Sequence, residues 1–158
     1  MSTPRVLVLG AGSIGARHAR NLLAAGAHVS VMDPDATRAT AVDGAVPQPF
    51  DLATIDEYDG IVVASPTAHH VAHLQAALAT DARVLVEKPF ARLDDVDRLD
   101  QLVDAAADRV MVGFNLRLHE PLECVADLLD SGTVGSVVAG RLWFGSWLPD
   151  WRPQVDYR

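Results

Sequence analysis

The sequence of 158 residues contains a single cysteine, Cys124, so no disulfide can form within the chain. Chains without disulfides are typical of reducing compartments, and we therefore expect a cytoplasmic protein. Basic residues are also scarce: 13 lysines and arginines stand against 21 acidic residues, for a net charge of −8. Because a phosphate backbone attracts basic surfaces, this balance removes nucleic acid from the expected partners.

Long apolar runs are missing as well. No run approaches the roughly 18 residues of a membrane span, and residues 1–30 lack the charged start and apolar core of a secretion signal. We therefore expect no membrane partner and no export. Apolar residues are nevertheless plentiful at 49%, which suits a packed core and is too high for a disordered chain.

Short apolar runs alternate with helical patterns along most of the chain. Such runs predict strands that are buried on both faces of a sheet. Strands are predicted at residues 5–9, 28–32, near 46, 60–64, 83–86 and 110–112. Strands that alternate with helices at this spacing predict an α/β fold, a doubly wound parallel sheet of the Rossmann type.

The pattern changes towards the end of the chain. Residues 136–147 predict a long aromatic strand without a following helix. We expect the sheet to form one Rossmann-type domain over residues 1–118. A linker helix and the first strand of a truncated second domain are expected over residues 119–158. A strand without its sheet exposes unpaired backbone groups, which predicts a homo-oligomer formed through residues 136–158.

A glycine-rich loop follows the first predicted strand. Gly10, Gly12 and Gly15 form the pattern G-x-G-x-x-G at the start of a helix. The first glycine would permit a tight turn, the second the approach of a pyrophosphate, and the third close packing of helix on strand. The helix start would bind the phosphates, so Ser13 and Ile14 are also predicted to contact the cofactor. The alternative is a tight turn that binds nothing.

Asp33 ends the second predicted strand, about 20 residues past the last glycine. A carboxylate there can accept hydrogen bonds from both ribose hydroxyls and repels a 2′-phosphate, so NAD is favoured over NADP. Arg38 leaves an alternative open, because it is near enough in sequence to help bind a 2′-phosphate. The other interpretation of Arg38 is a solvated helix charge.

Two further segments, residues 65–67 and 87–89, follow predicted strands, where open α/β sheets bind ligands. Lys88 is predicted to be catalytic, because a lysine there can donate a hydrogen bond to a substrate oxygen and stabilise developing negative charge. The alternatives are a helix cap for Thr67 and a surface ion pair for Lys88. The cofactor is predicted to contact Ser65, Pro66, Thr67, Glu87 and Lys88.

Three histidines, His69, His70 and His73, lie close together in the sequence. Two of them have the i, i+4 spacing that metal ligands use on a helix. No third ligand or general-base acid completes a zinc-enzyme pattern, so we expect no metal.

Four segments in this order resemble the Gfo/Idh/MocA oxidoreductases, the relatives of glucose-fructose oxidoreductase and inositol dehydrogenase. They are GAGSIGARH at residues 10–18, ASPTAHH at 64–70, VEKPF at 86–90 and VGFNLR at 112–117. The resemblance implies an NAD(P)-dependent enzyme for a sugar, cyclitol or sugar derivative. It also implies catalytic assistance by Lys88 and places His70, Asn115 and a second candidate, Arg117, near the cofactor.

One family feature has no counterpart in this sequence. The family's second domain carries an Asp-and-His motif that supplies the usual acid/base histidine, and no residue of this chain matches it. Two functions therefore stay open. The chain is either the cofactor-binding half of an oxidoreductase or a non-catalytic NAD-binding module that acts by binding or assembly.

Overall fold

Six strands form one parallel sheet in the computed structural model, which describes residues 2–104, 106 and 108–145. The strand order is β3-β2-β1-β4-β5-β6. The predicted Rossmann-type sheet is therefore confirmed. The strands are β1 (Arg5–Leu9), β2 (His28–Met32), β3 (Val46–Gln48), β4 (Gly60–Val63), β5 (Arg83–Val86) and β6 (Val110–Val112).

Helices connect the strands and follow the last one. They are α1 (Ser13–Ala24), α2 (Ala36–Thr40), α3 (His70–Leu78), α4 (Val96–Asp104) and α5 (Glu120–Asp130). Short 3₁₀ turns precede three of these helices, at Thr67–His69, Leu93–Asp95 and Asn115–Leu118. None of the helices in the described part of the chain is long and apolar enough to cross a membrane.

The central strands are buried on both faces, as their continuous apolar sequences predict. In β1, Leu7 and Leu9 belong to one core cluster, whereas Val6 and Val8 belong to the cluster on the opposite face. This alternation follows from the two-residue period of a strand. Apolar side chains therefore pack on both faces of the sheet, and the packed strands fix where the loops at its edge begin.

The chain divides into two compact units, Met1–Phe114 and Asn115–Arg158. The first contains the whole sheet, and the boundary predicted after residue 118 falls at the end of a 3₁₀ turn of the second.

In the second unit, residues 131–145 after α5 form neither helix nor strand. The strand predicted over residues 136–147 is therefore wrong over its described part, residues 136–145. A strand forms when its N–H and C=O groups pair with a neighbour, and the described part of this unit contains no other strand. Trp147, the last residue of the predicted strand, lies outside the described residues.

Candidate functional site

The loops after β1, β2, β4 and β5 all leave the same edge of the sheet, because parallel strands end on the same side. These four loops contain nearly all of the predicted site residues. Contacts between them are direct. The backbone of Gly10 lies against that of Ser65, and the N–H of Ala11 donates to the carboxylate of Asp33.

Two glycines of the loop after β1 are required by the backbone around them. Gly10 has a φ of +94°, and a Cβ there would lie 2.8 Å from the Cα of Ser65. A Cβ on Gly15 would overlap the carbonyl oxygen of Gly10. The loop and α1 therefore pack at a distance that only glycine permits.

Gly12 differs from the other two glycines, because a Cβ placed on it would meet no atom within 4 Å. It is the N-cap of α1 and makes no side-chain capping hydrogen bond. The N–H groups of Ser13 and Ile14, in the first turn, consequently have no acceptor within the helix. An open, uncapped helix start of this kind attracts anions and suits a pyrophosphate.

Asp33 is buried, with 7% of its surface exposed, and both carboxylate oxygens accept backbone hydrogen bonds. The N–H of Ala11 donates to Oδ2 at 2.6 Å, and the N–H of Asp35 donates to Oδ1 at 2.8 Å. Each carboxylate oxygen can accept a further hydrogen bond, so capacity remains for a ligand's hydroxyl groups. The hydrogen bond from the N–H of Ala11 to Asp33 also holds the glycine loop in place.

A cavity of about 460 Å³ opens beside Asp33. It is mainly apolar and large enough for a nucleoside, with a carboxylate at one side. Arg38 lines it as well, and the Nε of this arginine lies 3.3 Å from Oδ2 of Asp35. The residues that line it include Gly10, Asp33, Arg38, Phe50, Ser65 and His73.

Two buried polar atoms of the cavity lining, Ser65 Oγ and His73 Nδ1, have no hydrogen-bond partner among the residues that the structure describes. The ring of His73 packs 5.8 Å from that of Phe50 and stacks 5.8 Å from that of His69. Burial, reinforced by the neighbouring His69 and His70, lowers the pKa of His73 from 6.5 to about 4. His73 is therefore a neutral, packed side chain near neutral pH.

The loop after β5 carries Lys88, which is exposed. The carboxylate of Glu87 accepts a hydrogen bond from His18 of α1, with Nε2 2.8 Å from Oε1. The same carboxylate lies over Gly113, where a Cβ would approach Oε1 to 3.0 Å. The ammonium group of Lys88 has no hydrogen-bond or ion-pair partner among the described residues, so it is free to meet a ligand.

His70 lies beneath these loops, with 1% of its surface exposed. Its Nε2 is 2.8 Å from the carbonyl oxygen of Ser65. Its Nδ1 is 3.0 Å from that of Pro89 and 3.3 Å from that of Phe90. Both ring nitrogens face backbone, so in this conformation His70 connects two loops and offers no free nitrogen to a cofactor.

The remaining predicted residues lie in 3₁₀ turns. Thr67 begins a turn whose N-cap is Pro66, and no side-chain capping bond forms there. Asn115 and Arg117 lie in a turn of the second unit. Within the described residues, no group of three histidine, cysteine or acidic side chains could hold a metal ion.

The contacts of His18 and His73 were not predicted from the sequence. His18 and Glu87 are 69 positions apart, and only the loops of the folded sheet bring them together. For His73, the apolar positions around it in α3 were a usable signal, since they place it on the buried face of the helix.

Comparison with known proteins agrees with this geometry. A family model described as an oxidoreductase family with an NAD-binding Rossmann fold matches residues 4–114. The inositol 2-dehydrogenase of Rubrobacter xylanophilus is 35% identical over 148 residues, which cover 86% of this chain and 42% of that protein. Inositol 2-dehydrogenase 2 of Mycolicibacterium vanbaalenii is 34% identical over 149 residues, covering 85% and 43%.

A solved structure is similar over the same region. The myo-inositol dehydrogenase of Lactobacillus casei, in complex with NAD(H) and myo-inositol, matches with a TM-score of 0.77 at 28% sequence identity. The match covers 85% of this chain and 43% of that one. The chain thus spans less than half the length of these relatives.

Proposed function

The chain belongs to the Gfo/Idh/MocA family of oxidoreductases, and on that premise we propose that it is the NAD-binding half of a dehydrogenase for a cyclitol or a related sugar. The open, uncapped start of α1 at Gly12 is the observation that carries the proposal. It is the one part of the loop where the structure leaves space and N–H donors together, as a pyrophosphate requires.

The other parts of a dinucleotide fit the same edge of the sheet. The cavity beside Asp33 suits the adenosine portion, with the carboxylate accepting hydrogen bonds from ribose hydroxyls. Ser65 Oγ, in the same lining, has no partner in the described part of the chain and is available to a ligand. The exposed ammonium of Lys88 then belongs to the nicotinamide and substrate end, because it follows β5, further along the sheet.

In this proposal, Lys88 is the residue of this chain that takes a direct part in the reaction. When bound, NAD supplies the acceptor for a hydride from the substrate carbon. Lys88 donates a hydrogen bond to the substrate oxygen and stabilises the negative charge that develops on it. The neighbouring Glu87 is paired with His18, which leaves the ammonium of Lys88 free for that oxygen.

The substrate class is inferred from the relatives, several of which are inositol dehydrogenases. A cyclitol presents secondary hydroxyl groups, and oxidation of one of them to a ketone transfers one hydride to NAD and releases one proton. We therefore place inositols first among the substrates to test and aldoses second.

NAD is preferred to NADP in this proposal. Asp33 places a negative charge at the wall of the cavity that would face a 2′-phosphate, and such charges repel. Arg38, the basic residue that could reverse this preference, is paired with Asp35. The ion pair reduces the attraction of Arg38 for a phosphate.

A second proposal is a non-catalytic NAD-binding module. It would use the same cofactor site, the open start of α1 and the cavity beside Asp33, without turnover. We further place the protein in the cytoplasm, since its one cysteine is an exposed free thiol. Its proposed assembly is a homo-oligomer formed through residues 136–158.

Calorimetric titration of the chain with NAD, followed by an assay for NADH with myo-inositol, tests both proposals. We expect NAD binding that saturates below about 1 mM, the usual upper range for enzyme ligands. NADH formation that Lys88→Ala abolishes supports the dehydrogenase, whereas NAD binding without turnover is expected of a cofactor-binding half alone as well as of the module. A chain that does not bind NAD at all contradicts both.

A further inference from the structure

Two imidazole rings contact the segment that carries Lys88, from two different helices. The first is His18 of α1, whose Nε2 lies 2.8 Å from the carboxylate of Glu87. The side chains of this pair are 26% and 17% exposed, so water competes only partly for the hydrogen bond. His18 therefore fixes the residue before Lys88.

The second ring is that of His70, the first residue of α3. Its Nδ1 lies 3.0 Å from the carbonyl oxygen of Pro89, and its Nε2 lies 2.8 Å from that of Ser65. The ring is 1% exposed, so no water replaces a lost contact easily. A ring with one proton donates to one of these carbonyls, and a ring with two protons donates to both. His70 therefore fixes the residue after Lys88.

We propose that His18 and His70 are positioning residues for Lys88. The proposal rests on the catalytic role proposed for Lys88 above. The side chain of Lys88 is exposed and contacts no partner among the described residues, so its backbone neighbours decide where its ammonium is held. Imidazole contacts on both sides of one residue restrict the segment more than either alone.

The two rings also connect Lys88 to the elements that we assign to the cofactor. His18 lies in the helix that begins at the glycine loop, and His70 follows the Ser65 segment along the chain. Lys88 is thereby held in register with both phosphate-binding and cavity-lining loops. Positioning of this kind matters in catalysis, because misplacement of a group by about 1 Å can cost 10²-fold in rate.

Lys88 is the only lysine of the chain, which permits a direct test. A protease that cleaves on the N-terminal side of lysine has one site here, the Glu87–Lys88 bond. Its rate of cutting the native protein reports how often the segment opens, since a protease needs an extended, released chain. The measurement requires no enzymatic activity.

Matched substitutions of His70 separate its two contacts. An asparagine amide nitrogen occupies the position of Nδ1, and a glutamine amide nitrogen occupies that of Nε2. We expect His70→Asn, which keeps the bond to Pro89, to be cut at close to the wild-type rate. His70→Gln, which loses that bond, is expected to be cut at least roughly fivefold faster.

Substitutions of His18 give the same contrast from the other side. His18→Gln can keep the contact of Nε2 with Glu87 and is expected to stay close to the wild-type rate. His18→Ala loses the contact and is expected to be cut roughly fivefold faster. His28→Gln, a change at an exposed histidine in the first residue of β2, is the control and should have no effect.

Urea unfolding of every variant corrects the rates for global stability. Equal acceleration in His70→Asn and His70→Gln would show that the ring only supports the fold, and the proposal would then be wrong. Wild-type rates in both His70→Gln and His18→Ala would overturn it as well. NAD titration of the same variants is independent: binding that persists keeps the proposed function whatever the protease shows.

Discussion

The three glycines of the loop after β1 have three different surroundings. Gly10 and Gly15 lie against backbone that a Cβ would overlap, whereas Gly12 faces open space. The sequence pattern predicted a separate role for each glycine, and the surroundings fit that division: two positions are closely packed, and the third leaves open space. These positions should therefore respond differently to the same substitution.

Gly12→Ala is expected to leave stability nearly unchanged and to weaken NAD binding at least roughly tenfold. The backbone at Gly12, with φ of −64°, accepts alanine, but its methyl group would occupy the space proposed for the pyrophosphate. Gly15→Ala is the matched control. Its Cβ would overlap the carbonyl oxygen of Gly10, so the substitution should lower the free energy of unfolding by about 1–3 kcal/mol or more. Thermal unfolding and calorimetric titration measure both effects. Unchanged NAD affinity in Gly12→Ala would contradict the assigned pyrophosphate position.

Asp35→Asn is expected to raise affinity for NADP by up to roughly fivefold and to change NAD affinity little. Asp35 caps α2, with the N–H of Thr37 donating to its side chain, and asparagine can keep that cap. The substitution removes the charge that pairs with Arg38. Both side chains are about half exposed, so the ion pair contributes little free energy. Titration with both dinucleotides measures the shift. Arg38→Ala in the same background should cancel it, and a gain that survives this change would place the 2′-phosphate elsewhere.

At the scale of secondary-structure elements, the four inner strands β1, β2, β4 and β5 were predictable because each is a mostly apolar run that is largely buried. Helix starts were harder to predict: Thr67, considered as a helix cap, begins a 3₁₀ turn, and α3 starts at His70. The strand expected over residues 136–147 failed over residues 136–145 for a different reason. Strand formation depends on a partner, which a local pattern does not reveal.

His73 of α3 makes stability depend on pH. The pKa of His73 is about 4 in the folded chain, below the 6.5 of an unfolded one. Between these values the unfolded state binds more protons, so stability is complete above about pH 6.5 and falls as the pH drops towards 4. The fall amounts to at most about 3 kcal/mol. His73→Leu should lack this part of the acid loss, because leucine fills a similar volume and does not titrate.

Urea unfolding of wild type and His73→Leu at pH 7.5 and pH 5 measures this difference. The stability lost on acidification should be smaller in the variant by about 2 kcal/mol. His28→Gln controls for removal of an exposed imidazole and should lose as much as wild type. Identical acid losses in wild type and His73→Leu would show that His73 accepts a proton in the folded state.

At the scale of the whole molecule, the candidate site is formed by four loops that lie at the same edge of the sheet. The sequence predicted the members that follow strands, such as Gly12, Asp33 and Lys88, because parallel strands end on a common side. It could not predict that His18 meets Glu87 or that His70 joins two loops. Those contacts depend on the path that each loop takes in the folded chain, which no local sequence pattern encodes.

The second unit exposes apolar side chains, and self-association is its expected result. Leu142, Trp143 and Phe144 are each more than four-fifths exposed. Exposed clusters of this kind mark interaction surfaces. Light scattering at tens of micromolar should find a dimer or larger species for the full chain and a smaller one for a version that ends at Gly135. A monomer in both cases would contradict assembly through residues 136–158.

The two outer strands of the sheet differ in how well they resist the addition of a foreign strand. β3 contains Pro47, which has no N–H to donate to a ladder, whereas none of the three residues of β6 is proline. Aggregation from partly folded chains should therefore start at β6. Met111→Lys is expected to delay the onset of turbidity on heating more than Val46→Lys, although both wild-type side chains are about half exposed. Pro47 thus protects the β3 edge of the sheet against the addition of a foreign strand, whereas β6 has no such protection.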